Sequence, residues 1–580
     1  MFGVHAADIA ILVYRRQRDL ACSAYTRPFL SQYRMTIFLP RLSRTSRLLV
    51  PFLILLFILQ CAWFIATQSL TNDEPEHIVA GVEAWRFGEF ERWHDQPPLA
   101  RLLFALPMLG QNLSYSAANG GIHPLAPAPL VWQYRARAMN VLLGIALLLL
   151  LWNTARRLFS AAAANFVLAL AVFSPDFIAH FSLATIDGAG ALFLFAAVVQ
   201  FMRWRRRPSR PQAVLLGAVL GCMLLSKFNS PPLFALILAL VLVLIPEEGI
   251  NWRPRSWRWG QAALALMAAC AVVWAGYFFH ISRVTFAGQM VTIHFAGYTQ
   301  ILRYEMPTLA VPVTVFLPAC EWLTGLGMVM VHNLEGHRSF LLGHYSAAGF
   351  KLYFPAAILF KWPLIVLLLG AAGVFLAFRK VETYRELLWM GIFPAVYFAF
   401  AVLARIDIGV RHVLPVYPFL LLYAGCVWEW AHGVRWAKPA LGILLLVQAA
   451  DIARYAPDYL AYFNLLVRPG QTWRILSDSN TDWGQGMLAL RKYQTEHPGE
   501  VLHLAYVGEV DPVTYGVRYV PLREEDRPSG TVVVSSTHLS GQLLKNHYAY
   551  RWLLQYPVKA VLDHALYVFE VPENGGKPQP

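Results

Sequence analysis

The feature that most constrains this chain is a series of apolar runs, each long enough to cross a hydrocarbon core about 30 Å thick. We count about eleven runs, which begin near residues 48, 131, 161, 185, 212, 231, 260, 353, 386, 410 and 437. A segment inside lipid has to satisfy its own backbone hydrogen bonds, so runs of this length predict transmembrane helices. The expected fold is a polytopic α-helical membrane protein.

The composition agrees with this prediction. Of the 580 residues, 57% are hydrophobic and only 14% are charged, and the mean hydropathy is +0.47. Soluble domains carry about a quarter charged residues. The net charge of +14 would suit a nucleic-acid partner, but the Lys and Arg residues lie in short clusters between the apolar runs. Membrane topology explains such clusters, so we expect lipid contact and no nucleic acid.

The basic clusters also predict the orientation of the helices. If the segment with Arg41, Arg44 and Arg47 is cytoplasmic, the later clusters fall on alternate connections and therefore on the same side. They lie at 156–157, 203–210, 253–258, 379–385 and 435–438. We predict a cytoplasmic segment 1–47, a transmembrane domain 48–455 with large outer loops 69–130 and 282–350, and an extracytoplasmic domain 456–580.

The region after residue 455 is more polar and predicts a small α/β domain. The segments "VLHLAYVG", "GTVVVSST" and "HALYVFEV" alternate as strands do, and Thr481 or Asp482 is the expected N-cap of a helix. The segment "DSNTDWG" has acidic spacing like that of a calcium loop, but Ala489 stands where the bidentate Glu is required. We therefore expect turn and cap roles there, and no metal.

Polar residues collect where the predicted outer face meets the helices. Asp73 and Glu74 follow the first run, Arg101 lies in "HDQPPLARLLFALP", Asp187 begins the fourth run and Lys227 ends the fifth. Ionisable groups at membrane depth are costly and tend to mark function or pairing. Acids at the start of a helix also complement its dipole, but that explains one or two acids and not the cations. We predict one shared site.

Several motifs resemble a known family. The ordered segments are "DEPEH", "QPPLARLL", "RARAMNVLLG", "TIDGAGALFLF" and "LLSKFN", followed by "GVRHVLPVYPFL" and "SDSNTDWGQGMLALRKY". Together, from about residue 60 to 500, they resemble the GT-C glycosyltransferases of the protein O-mannosyltransferase and aminoarabinose transferase type, glycosyltransferase family 39, in its bacterial branch. The resemblance implies that 48–455 is a GT-C catalytic domain.

The resemblance implies an enzyme of the bacterial inner membrane that moves a sugar from a polyprenyl-phosphate donor to an acceptor outside the cytoplasm. The acceptor stays open among protein, glycolipid and polysaccharide, and so does the sugar. No cofactor is implied, and a divalent cation stays open. A lipid-linked polysaccharide ligase of GT-C architecture is the alternative. A transporter is disfavoured, because we find no internal repeat.

The resemblance also implies roles for single residues. Asp73 would be the general base, with the adjacent Glu74 as its orienter or as an acceptor contact, and Asp187 would be the next candidate for the base. The cations implied to bind the donor phosphate are Arg101, Arg137 and Lys227. Gln96 stands where the family often has His, which puts any acceptor role of the nearby His94 in doubt.

Two further positions are weighed on sequence alone. Arg411, in "GVRH", would bind the donor phosphate as a bidentate donor or anchor the tenth helix at the interface. His344 lies in the long outer loop with His332 and His337, where two alternatives stay open: hydrogen bonding to the acceptor or plain surface placement. No i, i+4 pair of these histidines sits on a convincing helix, which disfavours a metal site.

Overall fold

The computed structural model describes residues 44–91, 95–118, 121–243, 255–295, 299–303 and 309–573. Contacts divide the chain into two units after Leu48. The described part of the first unit is the beginning of the first helix. The second unit, Leu49–Pro580, holds every site considered below.

Helices dominate the described residues, and we number them in chain order. They are α1 Arg44–Thr67, α2 Asp73–Phe87, α3 Leu99–Ala105, α4 Pro129–Leu158, α5 Ala161–Val172, α6 Pro175–Phe181, α7 Ile186–Arg206, α8 Arg210–Leu224, α9 Pro231–Val243, α10 Arg255–Gly276, α11 Cys320–Glu335, α12 Tyr353–Lys361, α13 Leu364–Arg379, α14 Val381–Leu403, α15 Tyr417–Trp430, α16 Ala437–Ala453, α17 Met487–Glu496 and α18 Ser536–Ser540.

Every predicted apolar run contains a helix, and the predicted polytopic membrane protein is confirmed. Within the described ranges, six helices are long and apolar enough to span a membrane, or up to eight if each of two bent pairs is one span. The helices α8, α9 and α16 have only 15, 13 and 17 residues. Length and composition therefore support six to eight of the eleven predicted spans.

The two bent pairs have identifiable causes. Helices α5 and α6 meet at 64°, where Ser174 caps the second helix by accepting a hydrogen bond from the Phe177 N–H and Pro175 occupies its first turn. Helices α12 and α13 meet at 115°, and Pro363 lies between them. Proline ends a helix because it has no N–H and its ring clashes with the preceding turn.

The surface of the helical region is apolar where lipid would contact it. Phe52 and Leu59 on α1, Phe378 on α13 and Leu446 on α16 are each between 58% and 70% exposed. Exposed apolar area of this extent indicates a membrane or a partner surface. In a bundle of spanning helices, the hydrocarbon core is the natural partner.

The C-terminal region forms the predicted α/β layer. Its strands are β9 Leu502–Ala505, β10 Val520–Pro521, β11 Gly530–Ser535, β12 Val558–Leu562 and β13 Leu566–Val571. They form one sheet of order β10-β9-β11-β13-β12. All three predicted strand segments are confirmed. On β11, Val533 faces α2, α3 and α4 in one buried cluster, while Val532 and Val534 face the opposite cluster.

The predicted start of the helix in this region is wrong. Helix α17 begins at Met487 rather than after Thr481 or Asp482. The carbonyls of Trp483 and Gln485 accept hydrogen bonds from the Asn72 and Ser69 N–H groups, at 3.0 and 2.9 Å. Because these carbonyls accept hydrogen bonds from the segment that leads into α2, they do not form the first hydrogen bonds of a helix.

The predicted outer loops contain regular structure. Residues 69–130 hold α2, α3 and the hairpin of β1 Ser114–Ala118 and β2 Gly121–Ala126. The second loop holds the strands β3 Ile281–Gly288, β4 Met290–His294, β5 Thr299–Arg303, β6 Leu309–Pro318, β7 Ser339–Leu341 and β8 His344–Ser346. The first four form a sheet of order β5-β4-β3-β6, and β7 and β8 form a hairpin.

Candidate active site

The candidate site begins at the first turn of α2, where two adjacent carboxylates have different environments. Asp73 is the first residue of the helix, and its side chain is 37% exposed. Glu74 is fully buried. Consecutive residues on a helix point about 100° apart, so one of them turns to the solvent and the other to the protein interior.

Glu74 is fixed by a bidentate ion pair with Arg137 of α4. The Arg137 Nε and Nη2 atoms donate to its two carboxylate oxygens at 2.8 and 2.7 Å. The Thr71 and Ala184 N–H groups donate to the same carboxylate. Arg137 also donates to the Gln68 and Ser69 carbonyls. Both Glu74 oxygens and all three Arg137 guanidinium nitrogens therefore have partners within the protein, and the predicted roles of the two residues stay predictions.

Asp73 instead contacts Arg411. The Arg411 Nη1 atom donates to Asp73 Oδ2 at 3.0 Å, and the guanidinium lies over the Trp483 ring, 3.9 Å from its centroid. A cation held against an aromatic face is stabilised by the ring quadrupole. The side chain of Arg411 is only 11% exposed. It therefore lies within the site, as the predicted phosphate-binding role requires.

The contact between Arg411 and Trp483 follows from the docking of two sequence motifs. Gly409 of "GVRH" lies so close to Ser479 that a Cβ there would meet its Oγ at 2.2 Å. Ser479 donates to the Ile408 carbonyl, and Asn480 accepts from the Val410 N–H. The segment "DSNTDWG" thus forms a 3₁₀ turn over Asp478–Asn480. This turn packs on the 3₁₀ helix Val410–Val416, which leads into α15.

Asp187 and Lys227 form a second pair beside the first. Lys227 Nζ lies 2.5 Å from Asp187 Oδ1, and Arg411 Nη1 lies 3.8 Å from Asp187 Oδ2. Gly190, one turn into α7, packs against the Lys227 side chain. Asp187 is 1% exposed. A buried carboxylate between two cations is better placed to hold them than to act as a base.

Arg101 approaches the site from α3. Its Nε atom donates to His77 Nδ1 at 3.3 Å. Burial lowers the pKa of His77 well below its usual range, so the ring is neutral and its Nδ1 can accept. Burial also lowers the pKa of Arg101 to about 10, which leaves the guanidinium charged at neutral pH, and the charges of Asp73 and Glu76 act on it.

The C-terminal region adds a carboxyl group to this cluster. The Glu509 N–H donates to Asn72 Oδ1 at 3.1 Å, which holds Glu509 beside the start of α2. Burial, with the charges of Glu509 and Asp73, raises the pKa of Glu76 to about 9. Burial, with the charge of Asp73, raises the pKa of Glu509 to about 7. This pair therefore retains a proton at neutral pH.

Of the two histidines considered as acceptor or loop candidates, the structure describes only His344. His94 lies outside the described residues. His344 is exposed and begins strand β8, where it pairs with Leu341. Among the described residues, no group of three or more His, Cys, Asp or Glu side chains could hold a metal ion.

The site includes residues that the sequence reasoning did not assign. Trp483, Asp478 and Glu509 come from the C-terminal region, and His77 lies one turn after Asp73. Trp483 and Asp478 fall inside the quoted "DSNTDWG" motif, which was the only signal available. Nothing in the local sequence marks Glu509, because its approach to Asn72 depends on how the C-terminal region packs on α2.

One segment of the chain is similar to a known protein family. Residues 132–275 match the family model for dolichyl-phosphate-mannose-protein mannosyltransferase. Over this segment, the predicted resemblance is confirmed. The matched segment spans 144 of the 580 residues, one quarter of the chain, and includes Arg137, Asp187 and Lys227. No curated protein sequence matches the chain.

Solved structures of similar proteins were also found. The S. cerevisiae protein O-mannosyltransferase Pmt1-Pmt2 complex bound to the sugar donor has 11% identity and a TM-score of 0.49, with 72% of this chain and 90% of that chain covered. ArnT from Cupriavidus metallidurans bound to undecaprenyl phosphate has 15% identity and a TM-score of 0.43, with coverages of 93% and 100%. The apo form of ArnT from the same organism has 16% identity and a TM-score of 0.44, with 92% of this chain and 99% of that chain covered.

Proposed function

We propose that this protein is a GT-C membrane glycosyltransferase that transfers a sugar from a polyprenyl-phosphate donor to an acceptor on the extracytoplasmic face. The observation that carries the proposal is the contact between Asp73 and Arg411 beside the Asp187–Lys227 pair. This arrangement puts a partly exposed carboxylate next to buried cations. The family match over 132–275 supports the same reaction class.

In the proposed reaction, Asp73 is the general base. Its carboxylate takes the proton of the acceptor hydroxyl as the oxygen forms a bond to the anomeric carbon. The bond between that carbon and the phosphate oxygen breaks, and polyprenyl phosphate leaves with the electron pair. A base opposite the leaving group requires inversion at the anomeric carbon. A positioned base contributes about 10² to 10⁴ in rate.

The cations stabilise the leaving phosphate. Arg411 can present two N–H groups to phosphate oxygens, and Lys227 supplies a compact charge beside it. The donor phosphate would compete with Asp73 for Arg411. Once Arg411 turns to the phosphate, the Asp73 carboxylate loses its hydrogen bond from Arg411 Nη1 and can accept one from the acceptor hydroxyl instead. Donor binding would then prepare the base for the acceptor.

The buried pairs keep these groups in place. Arg137 ties Glu74 to the chain that leads into α2, and Asp187 separates the two phosphate-binding cations. Such preorganisation lets the cations stabilise charge in the transition state without a reorganisation cost. The roles of Glu74, Arg137 and Asp187 are therefore proposed to be positioning ones.

Asp73→Asn tests the proposal. Mass spectrometry of the cell envelope, compared between a deletion strain and its parent, first identifies the fraction that contains the acceptor. The full chain in lipid nanodiscs is then supplied with that fraction and with undecaprenyl phosphate carrying mannose, glucose, galactose or 4-amino-4-deoxyarabinose. We expect the variant to bind the donor as the parent does and to lose about 10² to 10⁴ in turnover. Glu89→Gln, an exposed site just after α2, is the control. Transfer by Asp73→Asn at the parental rate would refute the role of Asp73.

A further inference from the structure

A narrow cleft lies at the opposite end of the helices from the candidate site. It is bounded by the last turns of α4 and α7 and by the beginning of α14. Helix α7 begins beside Asp187 and has 21 residues, so at 1.5 Å per residue its two ends are about 30 Å apart. That distance matches the hydrocarbon core of a bilayer. The cleft therefore faces the leaflet opposite the candidate site, which is the cytoplasmic one under the predicted topology.

Arginines dominate the polar lining of this cleft. Arg157 of α4 and Arg203 and Arg206 of α7 line it together with Glu386 of α14, which forms an ion pair with Arg206. Within the described residues, neither Arg157 nor Arg203 forms an ion pair with an acidic side chain. The positive-inside rule explains why arginines lie at this end of the helices. It does not explain why they converge on one cleft.

Arg203 has a donor atom that no described residue satisfies. Its Nε is buried and makes no hydrogen bond in the part of the chain that the structure describes. The positive charge of Arg157 also acts on Arg203. Buried donors are nearly always hydrogen-bonded, and a native exception calls for an explanation. A water molecule would satisfy the donor but would leave the two like charges uncompensated, whereas an anion does both.

The size of the cleft fits part of an anion. Its volume is about 30 Å³, and a single water molecule needs about 10–15 Å³. Two oxygens of a phosphate group therefore fit inside, while the rest of a headgroup stays outside, on the open side where Arg157 is exposed. A guanidinium presents parallel N–H groups to two phosphate oxygens, which matches this geometry.

The surface that leads to the cleft suits an acyl chain. Leu142 and Leu149 are 56% and 42% exposed, and at helical spacing they lie on the same side of α4 as Arg157. A lipid chain along this side of the helix brings its headgroup to the end of α4. Leu158 and Val199 add apolar lining to the cleft itself. Basic pockets between spanning helices bind the headgroups of anionic lipids in other membrane proteins.

We propose that this cleft binds the phosphate of an anionic phospholipid from the leaflet opposite the candidate site. Arg203 holds the phosphate, with Arg157 and Arg206 beside it, and an acyl chain lies against α4. The inference does not depend on the reaction proposed above, because it concerns the other end of the helices. A ligand that binds only the folded state stabilises it, so this lipid is also expected to raise the unfolding midpoint.

Arg203→Gln tests the inference. Native mass spectrometry of the full chain in detergent measures its affinity for phosphatidylglycerol, phosphatidylcholine and undecaprenyl phosphate, and inorganic phosphate is added as a competitor. We expect the parent to prefer phosphatidylglycerol to phosphatidylcholine. The variant should bind phosphatidylglycerol about 10- to 100-fold more weakly, because it loses hydrogen bonds between charged groups. Its affinity for undecaprenyl phosphate should not change. Arg435→Gln, at an exposed arginine outside the cleft, is the matched control and should bind as the parent does.

Four outcomes would overturn the inference. They are unchanged phosphatidylglycerol affinity in a folded Arg203→Gln variant, a parent without preference for phosphatidylglycerol, displacement of the lipid by an equal concentration of inorganic phosphate, and weaker binding of undecaprenyl phosphate by the variant. The third would assign the cleft to free phosphate and the fourth to the carrier. If Arg203→Gln does not fold, Arg157→Gln removes one charge from an exposed position of the same cleft. It should weaken phosphatidylglycerol binding, and unchanged affinity would count against the cleft.

Discussion

Replacing Glu74 with glutamine is expected to destabilise the folded protein, not to change its chemistry alone. The Glu74 carboxylate is fully buried and accepts hydrogen bonds from two Arg137 nitrogens and from the Thr71 and Ala184 N–H groups. Glutamine has the same shape but replaces one acceptor oxygen with an NH₂ group. That NH₂ group would face N–H donors, and the Arg137 charge would lose its counterion.

The size of the effect follows from these contacts. Each oxygen of Glu74 accepts at least two hydrogen bonds, so the substitution removes at least two bonds to a charged group, each with a value of about 1.5–3 kcal/mol. Removing one partner of a buried ion pair costs about 3–5 kcal/mol in other proteins. We expect a loss of about 3–5 kcal/mol in the free energy of unfolding.

Reversible unfolding in SDS and mixed micelles, followed by tryptophan fluorescence, measures this loss. The control is Glu89→Gln, which makes the same chemical change at an exposed position and should leave the unfolding midpoint unchanged. The double variant Glu74→Gln/Arg137→Gln should cost less than the sum of the single variants, because it leaves no unpaired charge. A Glu74→Gln variant as stable as the parent would refute the reasoning.

Two further variants test the cations and the carboxyl pair. Lys227→Met should weaken the binding of undecaprenyl phosphate about 10- to 100-fold, through loss of a charge-assisted partner; unchanged affinity with reduced stability would make Lys227 only the partner of Asp187. The pKa is raised to about 9 for Glu76 and to about 7 for Glu509. Between about pH 4.5 and pH 9, the folded state therefore holds protons that the unfolded state releases, and the contribution of these two groups to stability falls as the pH rises. Glu76→Gln should flatten this decline in melting temperature between pH 5 and 9, and a slope equal to that of the parent would show that Glu76 ionises freely.

The motif order predicted which residues lie near one another but not which atoms pair. Asp73, Asp187 and Lys227 were expected in one site, while Arg411 was expected either to bind phosphate there or to anchor its helix at the interface. The structure brings all four into contact. Arg137 was expected to bind the donor phosphate and Glu74 to orient Asp73 or contact the acceptor, and in the structure the two residues form an ion pair with each other. Glu74 and Arg137 each have the charge that the family motif predicts at their position. Only the three-dimensional arrangement distinguishes a charge that contacts solvent from one that is buried in a pair.

The helix start at Met487 shows the same limit in the backbone. Thr481 and Asp482 are good N-cap residues by local propensity. In the folded protein, the carbonyls that follow are taken by Ser69 and Asn72, more than 400 residues earlier in the chain. Tertiary hydrogen bonds therefore override the local preference.

The sequence alone determined the membrane helices, the strands of the C-terminal region and the approximate composition of the site. These follow from properties that each segment carries by itself: its hydropathy, its need to satisfy its own backbone in lipid, and its alternation of apolar residues. The tertiary structure decided which cation pairs with which acid. Arg411 meets Asp73 across 338 positions, and Glu509 approaches the site through Asn72, 437 positions away. Partner choice depends on how distant elements pack, and a side chain accepts whichever partner that packing presents in the right geometry.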